Sequence, residues 1–161
     1  MAVVTNKNIS DFINDLSSDN GIVRRIARQK IVELGADAID YLLELQNSPK
    51  HIVRWEAIKA IEQIGDPLGT PILISALKDD KFDVRWIAAE GLIRIGKPAI
   101  KPLMNELVNN SESVFVREGA HHVLKELHSM GIFDDKFDII TKLESLFDFT
   151  ALHFIAKKYL E

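Results

Sequence analysis

A short motif, Val-Arg followed three residues later by Ala, occurs four times along the chain at nearly constant spacing. The copies begin at Val23, Val53, Val84 and Val116, so the intervals are 30, 31 and 32 residues. Self-similarity at a fixed period of about 20–50 residues is the mark of a stacked repeat protein, and it constrains the fold more than any local pattern does. We therefore expect a series of similar units, each packed against its neighbours.

Each copy also has the apolar periodicity of a helix. Counted from the valine, apolar residues recur at offsets 0, 4, 8 and 11, which places them on one helical face. The alanine at offset 4 is small enough to let a neighbouring helix approach closely. Gly35, Gly65 and Gly96 follow the last apolar residue of the first three copies, where a helix favours a left-handed residue, and His128 replaces this glycine in the fourth.

A second amphipathic pattern lies between the copies, in segments 37–47, 67–78 and 98–109. Pro71 and Pro102 each fall six residues after a repeat glycine, and because proline fits the first turn of a helix, we expect the main helices to begin near them. Segment 8–16 supplies the first helix, and segments 136–147 and 150–160 form a degenerate last pair.

These patterns predict an all-α fold, a right-handed α-solenoid of about five antiparallel helix pairs. A single domain spans residues 1–161, with repeats at about 8–35, 36–65, 66–96 and 97–128 and a C-terminal cap at 134–161. At 161 residues, 47% hydrophobic and 27% charged, the chain has the composition of an ordinary soluble domain.

Composition also excludes several classes of protein. The chain has no run of 18 apolar residues and no apolar stretch for a signal peptide near its start, so we expect neither a membrane span nor export. With no cysteine there is no disulfide and no thiolate site. The expectation is a cytoplasmic protein. A net charge of −4 argues against a nucleic-acid binder, although Arg24, Arg25, Arg28 and Lys30 form a local basic cluster.

The repeat unit resembles the short HEAT-like repeat found in phycobilin lyase subunits. Gly65-Asp66-Pro67, continuing through Ala76-Leu77-Lys78-Asp79-Asp80 to Val84-Arg85, is the copy that carries the resemblance most fully. The resemblance covers residues 20–127 and is specific for the fold rather than for a function. It implies a protein-binding scaffold, since most such proteins bind other proteins, while some act in chromophore attachment and some larger relatives repair DNA.

The resemblance also implies a role for the arginine of each motif. In repeats of this kind that arginine faces inward and pairs with a carboxylate near the preceding loop. Asp19, Asp80 and Glu112 lie five residues before their arginines and are expected to serve, whereas the second repeat has Pro49 at this place. A planar guanidinium suits such partly buried pairs, so we expect a structural ladder of arginines, with Arg85 paired to Asp80.

A candidate binding surface lies on the same helices. Trp55 and Trp86 share offset 2, off the apolar stripe, so stacked repeats are expected to set the two indoles side by side, facing either outward or the neighbouring repeat. Outward tryptophans are typical anchors of protein interfaces. Together with the residues one and two turns further along, they make a mixed strip on the helices that normally line the concave side. The candidate partner-binding residues are Arg25, Trp55, Lys59, Glu62, Trp86, Glu90, Glu118 and His122.

Catalytic and metal chemistry find little support in the sequence. Glu118 and His121 have the Glu-x-x-His spacing of helical di-iron sites, but no second such motif exists, and a surface ion pair explains the spacing better. No phosphate loop or nucleophile elbow is present. We therefore expect no enzyme activity, no metal and no cofactor.

The last helix pair is rich in large apolar residues, including Phe147, Phe149 and Phe154. Either the last helix buries them as a hydrophobic cap, or they leave a patch for self-association. A monomer or a weak homodimer through the C-terminal helices is therefore expected.

The function favoured by the sequence is a non-catalytic scaffold that binds a partner protein, of unknown identity, on its concave helix face, without nucleic acid or membrane. Two alternatives remain open. One is a bilin-lyase-related subunit acting on phycobiliprotein chromophores, and the other is a nucleic-acid-binding module.

Overall fold

The computed structural model describes residues 8–144 and 149–161, with the side chains of all of them but Phe149, and this part of the chain is helical without strands. Ten α-helices follow one another within it: α1 Ile9–Asp15, α2 Gly21–Glu33, α3 Ile39–Leu43, α4 His51–Ile64, α5 Thr70–Ala76, α6 Phe82–Ile95, α7 Lys97–Asn110, α8 Val114–Ser129, α9 Ile139–Glu144 and α10 Phe149–Lys158. Short 3₁₀ turns at Gly35–Ala38, Glu44–Asn47 and Pro67–Gly69 connect some of them.

The helices that carry the Val-Arg motif form one row, in which α4 packs between α2 and α6, and α6 packs against α8. We call α2, α4, α6 and α8 the Val-Arg row. Each member also packs against the helix that precedes it in the chain. The predicted α-solenoid is confirmed.

The core lies where the sequence periodicity places it. The alanines at offset 4 are almost fully buried in all four copies, and so are the apolar residues at offset 8. Two glycines of the Val-Arg row lie close to neighbouring side chains: a Cβ added to Gly91 would lie 2.8 Å from Leu73, and one added to Gly119 would lie 2.7 Å from Leu77. The row therefore packs onto α5 and the residue after it with no space for a larger side chain at these points.

Helix ends follow the glycine pattern with two variations. Gly35, Gly65 and Gly96 have the expected positive φ values of 64°, 67° and 75°, and Gly65 ends α4 in the left-handed conformation, whereas Gly96, with ψ of −133°, ends α6 outside it. In the fourth copy α8 continues past His128, and Gly131, with φ of 73°, takes the left-handed position instead.

The two prolines behave differently from each other. Pro71 lies in the first turn of α5, as predicted. The prediction for Pro102 is wrong, because α7 already begins at Lys97, with Pro98 in its first turn and Pro102 inside the helix. Gly96 turns the chain directly into α7, so no separate turn is needed. The carbonyl that Pro102 leaves without a partner belongs to the exposed Pro98, where water can reach it.

Segment 37–47 is less regular than the amphipathic pattern predicts, because its five-residue α3 is flanked by two 3₁₀ turns. The first helix agrees with prediction, and Asn8 caps it through a reciprocal capping box with Asp11.

The last helix pair is present but reversed in its packing. In the preceding pairs the second helix joins the Val-Arg row. Here α9 packs against α8, and α10 packs against α7. Tyr159 fixes this arrangement: its hydroxyl accepts a hydrogen bond from the Phe137 N–H at 3.1 Å and donates one to Asp135 at 2.9 Å. Its ring contacts Phe133 and Phe137.

The aromatic residues of this pair divide between the two expected arrangements. Phe133 is buried, and Phe137 and Tyr159 are partly buried, which agrees with a cap, whereas Phe154 is 59% exposed. Phe147 and the side chain of Phe149 lie outside the described part of the chain. The weak homodimer stays a prediction. Across the two described ranges, no helix combines the length and apolar character needed to cross a membrane.

We expect Tyr159→Phe to lower the free energy of unfolding by about 1–2 kcal/mol, because the Phe137 N–H and Asp135 lose a partly buried hydrogen-bond partner. Urea denaturation measures this loss. Tyr41→Phe is the matched control, since Tyr41 is 46% exposed on α3. Equal midpoints for the two variants would show that the hydroxyl does not hold the cap.

Burial, together with Asp135, raises the pKa of Tyr159 above its ordinary value of about 10. The folded state thus favours the neutral hydroxyl, and its contribution is present in full below about pH 10 and is lost as the pH rises above that value. The difference in unfolding free energy between wild type and Tyr159→Phe is therefore expected to shrink between pH 8 and pH 11. A constant difference over this range would contradict the assignment.

Candidate protein-binding surface

The four motif arginines share one hydrogen bond. In each copy the guanidinium Nη1 donates to the backbone carbonyl six residues earlier, in the loop before the helix. The distances are 2.7 Å for Arg24 to Ser18, 2.9 Å for Arg54 to Ser48, 2.8 Å for Arg85 to Asp79 and 2.8 Å for Arg117 to Ser111. This bond ties the loop to the first turn of the helix, where carbonyls at the end of the preceding helix need donors.

The carboxylate partners come from the following repeat. Arg24 and Arg28 of α2 both bind the carboxylate of Glu56 on α4, whose side chain is almost fully buried. Arg54 binds both carboxylate oxygens of Asp79, at 2.7 and 3.0 Å, and also Asp80 at 2.6 Å. These pairs connect neighbouring repeats.

The expected pairing within one repeat is therefore wrong. Asp80 pairs with Arg54 of the preceding repeat and with Lys81, not with Arg85. The physical reason is that the loop carbonyl occupies one end of each guanidinium, so the remaining N–H groups point toward the next repeat. Hydrogen bonding to Lys81, with help from Asp79 and Arg54, lowers the pKa of Asp80, and the hydrogen bond that Arg54 donates to Asp79 raises the pKa of Arg54.

An open pocket of about 250 Å³ lies between α6 and α8 on the Val-Arg row. We call it the aromatic pocket. Its lining residues are Phe82, Arg85, Trp86, Ala89, Phe115, Glu118, Gly119 and His122. Exposure of the three large aromatic side chains is 66% for Phe82, 47% for Trp86 and 40% for Phe115, so this patch faces solvent.

The rings of the pocket are held by specific contacts. His122 stacks on Trp86 with a centroid distance of 4.6 Å, and its Nε2 lies 2.8 Å from Glu90. The ring centroid of Phe82 lies 6.1 Å from that of Trp86. The pocket thus brings together three of the candidate residues, Trp86, Glu118 and His122, with Glu90 supporting them.

The remaining candidate residues lie elsewhere on the row. Arg25 and Trp55 line a second, more open pocket between α2 and α4. Lys59 pairs with Glu62 on the same helix at 2.7 Å, and Glu62 lies 3.9 Å from Arg94. Lys59 thus forms an ion pair within α4, Glu62 also reaches Arg94 of α6, and neither residue lines the aromatic pocket.

The two tryptophans differ, although their offsets are equal. Trp55 is partly buried against the core, with the Arg28 guanidinium 5.5 Å from its ring centroid. In the part of the chain that the structure describes, the two indoles make no ring contact, so the expected side-by-side pair is not formed. Trp86 stacks instead on His122 of the next repeat. The covering side chains explain the difference, since Glu56 holds the long Arg28 side chain over Trp55, whereas Glu90 holds the smaller His122 ring on Trp86.

Sequence reasoning missed Phe82, Phe115 and Glu56. Phe82 begins α6 and Phe115 lies in the first turn of α8, next to the motif rather than within its offsets. Glu56 is the charged residue at offset 3, where the third copy has the buried Ile87. That interruption of the apolar pattern is the signal that identifies Glu56 as an internal partner. Over residues 8–144 and 149–161, no group of three or more His, Asp or Glu side chains is placed to hold a metal ion.

Comparison with known families agrees with this architecture. The family model for HEAT repeats matches residues 9–92, which is just over half of the chain. The chain belongs to the HEAT repeat family. Its membership accounts for the stacked helix pairs.

One solved structure has the same fold. A chain from the complex of CpcE and CpcF of phycocyanin lyase from Nostoc sp. PCC7120 aligns with a TM-score of 0.63 at 22% identity, covering 95% of this chain and 98% of the other. A designed armadillo repeat protein in complex with a (KR)4 peptide aligns with a TM-score of 0.42 at 14% identity, covering 96% and 100%. The comparison with curated protein sequences gave no significant match.

The ladder predicts an ordering of two variants. We expect Arg54→Ala to lower the unfolding free energy by about 2–4 kcal/mol, because it leaves Asp79, whose side chain is 8% exposed, without its charge partner. Arg85→Ala is expected to cost about 1 kcal/mol, the value of one hydrogen bond to a carbonyl. Urea midpoints in the reverse order would contradict the cross-repeat assignment, and Arg54→Ala combined with Asp79→Ala is expected to recover part of the loss.

Proposed function

We propose that this HEAT repeat protein is a non-catalytic interaction module that binds a partner protein on the Val-Arg row, with the aromatic pocket as the anchor. The observation that carries the proposal is the cluster of three exposed aromatic rings in one pocket between neighbouring repeats. Binding energy at protein interfaces concentrates in such aromatic and arginine anchors. Adjacent exposed rings on an otherwise polar surface are typical of interaction sites.

Preorganisation of the rings supports the proposal. Trp86 is already stacked on His122, which in turn is hydrogen-bonded to Glu90. A partner that covers these rings therefore restricts few side-chain rotamers that are free beforehand, and this lowers the entropic cost of association.

The charges of the row favour a protein partner over nucleic acid. Arg24 and Arg28 of the basic cluster bind Glu56, and Lys30 pairs with Glu33. Two carboxylates offset two of these three positive charges within the chain, so the cluster offers less counterion release to a phosphate backbone. The acidic balance of the whole chain acts in the same direction.

The bilin-lyase alternative rests on the shared fold and has no pocket residue of its own to support it. An absorption spectrum of the protein purified from its native cells tests it directly. A tetrapyrrole band that stays with the protein through gel filtration would replace the scaffold proposal with that alternative.

We expect Trp86→Ala and Phe115→Ala each to weaken partner binding at least tenfold, since truncation of a central aromatic anchor costs about 2 kcal/mol or more. Affinity purification from native cells identifies proteins retained by wild type, and calorimetry with the recombinant partner then measures the dissociation constant. Tyr41→Ala is the matched control, because Tyr41 has the same exposure, 46% against 47%, but lies on α3 outside the Val-Arg row. Unchanged binding in both pocket variants, with unchanged circular dichroism, would contradict the proposal.

A further inference from the structure

The motif arginine of the third copy, Arg85, lacks the carboxylate that Arg24 and Arg54 have. Arg24 and Arg54 each bind an acidic side chain of the following repeat. Within the described ranges no carboxylate lies within the 4 Å of an ion pair to Arg85, and its hydrogen bond goes to the carbonyl of Asp79. The cation therefore stays uncompensated.

Repeat register explains why the partner is missing. Glu56, the partner of Arg24, stands at offset 3 of its copy, and the residue at offset 3 of the copy after Arg85 is Gly119. Asp79, the partner of Arg54, precedes its valine by five residues, and the equivalent residue in the next copy is Ser111. Both of these places hold an uncharged residue here, and Glu112, the acidic equivalent of Asp80, is exposed and lies beyond ion-pair distance of Arg85.

Aromatic rings take the place of the carboxylate. The guanidinium carbon of Arg85 lies 3.9 Å from the ring centroid of Phe115 and 5.8 Å from that of Phe82. These contacts orient the guanidinium without cancelling its charge. The same group lines the aromatic pocket, so a full positive charge borders an apolar, solvent-open cavity.

We propose that the aromatic pocket recognises a partner segment in which an acidic side chain, Asp or Glu, adjoins a large apolar side chain. This inference rests on the proposed function and names the chemistry of its partner. The partner's carboxylate binds the free N–H groups of Arg85. It takes the place that Glu56 and Asp79 of this chain have at the arginines of the first two copies. The apolar side chain packs among Phe82, Trp86 and Phe115.

Pocket size and charge fit this occupant. About 250 Å³ exceeds the roughly 150 Å³ that holds a benzene ring in a buried protein cavity. Glu118 lines the same pocket and is exposed, so the pocket is not a general anion site. Binding of one ligand carboxylate at Arg85 is favoured, while a second ligand carboxylate near Glu118 is repelled by the like charge.

The chemistry is testable with small probes before the partner is identified. 3-Phenylpropionate carries a carboxylate beside an aromatic ring, and 3-phenylpropionamide is its neutral match. In ¹H–¹⁵N NMR titrations of wild type we expect both probes to shift the Trp86 indole N–H, with the carboxylate probe binding about tenfold more tightly. Arg85→Gln is expected to remove this preference and leave the amide affinity unchanged. Glu118→Gln, at an exposed position, is expected to strengthen carboxylate binding about two- to threefold.

Controls separate the possible outcomes. Arg94→Gln, an exposed arginine on the same helix outside the aromatic pocket, is expected to leave both affinities unchanged. Equal affinities for the two probes in wild type, or an equal loss in Arg94→Gln and Arg85→Gln, would overturn the proposal. If Arg85→Gln does not fold, the response to Glu118→Gln decides, and no change there also overturns it. If Trp86→Ala loses partner binding but Arg85→Gln keeps it, the proposed function stands, and the proposal that the partner presents a carboxylate to Arg85 is wrong.

Selection from a displayed library of random heptapeptides extends the test to protein segments. Wild type is expected to enrich sequences with Asp or Glu next to Phe, Trp or Leu, and Arg85→Gln is expected to enrich the apolar residue alone. Enrichment of basic sequences by wild type would overturn the proposal.

Discussion

Each motif arginine is committed first to the loop in front of its own helix, through the hydrogen bond from Nη1 to the carbonyl six residues earlier. This bond fixes the direction of the guanidinium, so its other N–H groups face the following repeat. Where that repeat supplies a carboxylate, as Glu56 and Asp79 do, the two repeats are joined by a charge-assisted contact in addition to their apolar face. The stacking of the Val-Arg row therefore depends on a local bond that is made within a single repeat.

The same geometry determines where the surface of the Val-Arg row is covered by side chains and where it is exposed to solvent. Glu56 draws Arg28 across the face of Trp55, and this tryptophan becomes part of the packing between α2 and α4. Between α6 and α8, Glu90 binds the smaller side chain of His122, which stacks on Trp86 but leaves it exposed beside an uncompensated Arg85. Two tryptophans at equal offsets thus acquire different environments from the side chain that lies over each ring, Arg28 of the preceding repeat for Trp55 and His122 of the following repeat for Trp86.

This division also marks what the sequence could predict. The spacing of the motif, the buried alanines and the glycines of positive φ are local, since each depends on one helix and its end, and these predictions are confirmed. The carboxylate partners of the motif arginines depend on how far one repeat is shifted in space against the next. The sequence period of 30 to 32 residues does not give that shift. Asp80 was accordingly assigned to the wrong arginine, and Phe82 and Phe115 were missed because the pocket exists only between two helices. The reversed packing of α9 and α10 is likewise a property of tertiary contacts, which the repeat does not encode past α8.

An uncompensated arginine within a solenoid weakens the junction at which it lies, so the structure must hold α6 and α8 together by other means. Gly119 of α8 approaches Leu77, the residue after α5, and α5 packs against α6, so this apolar contact links the two helices behind the pocket. Phe115 shields one face of the guanidinium in front. The last helix pair closes the end of the stack directly beside this junction, since α9 packs on α8 and α10 on α7. With both sides of the junction held in this way, Arg85 does not have to find a partner within the chain, and a ligand carboxylate can join the ladder without rearranging the helices around it.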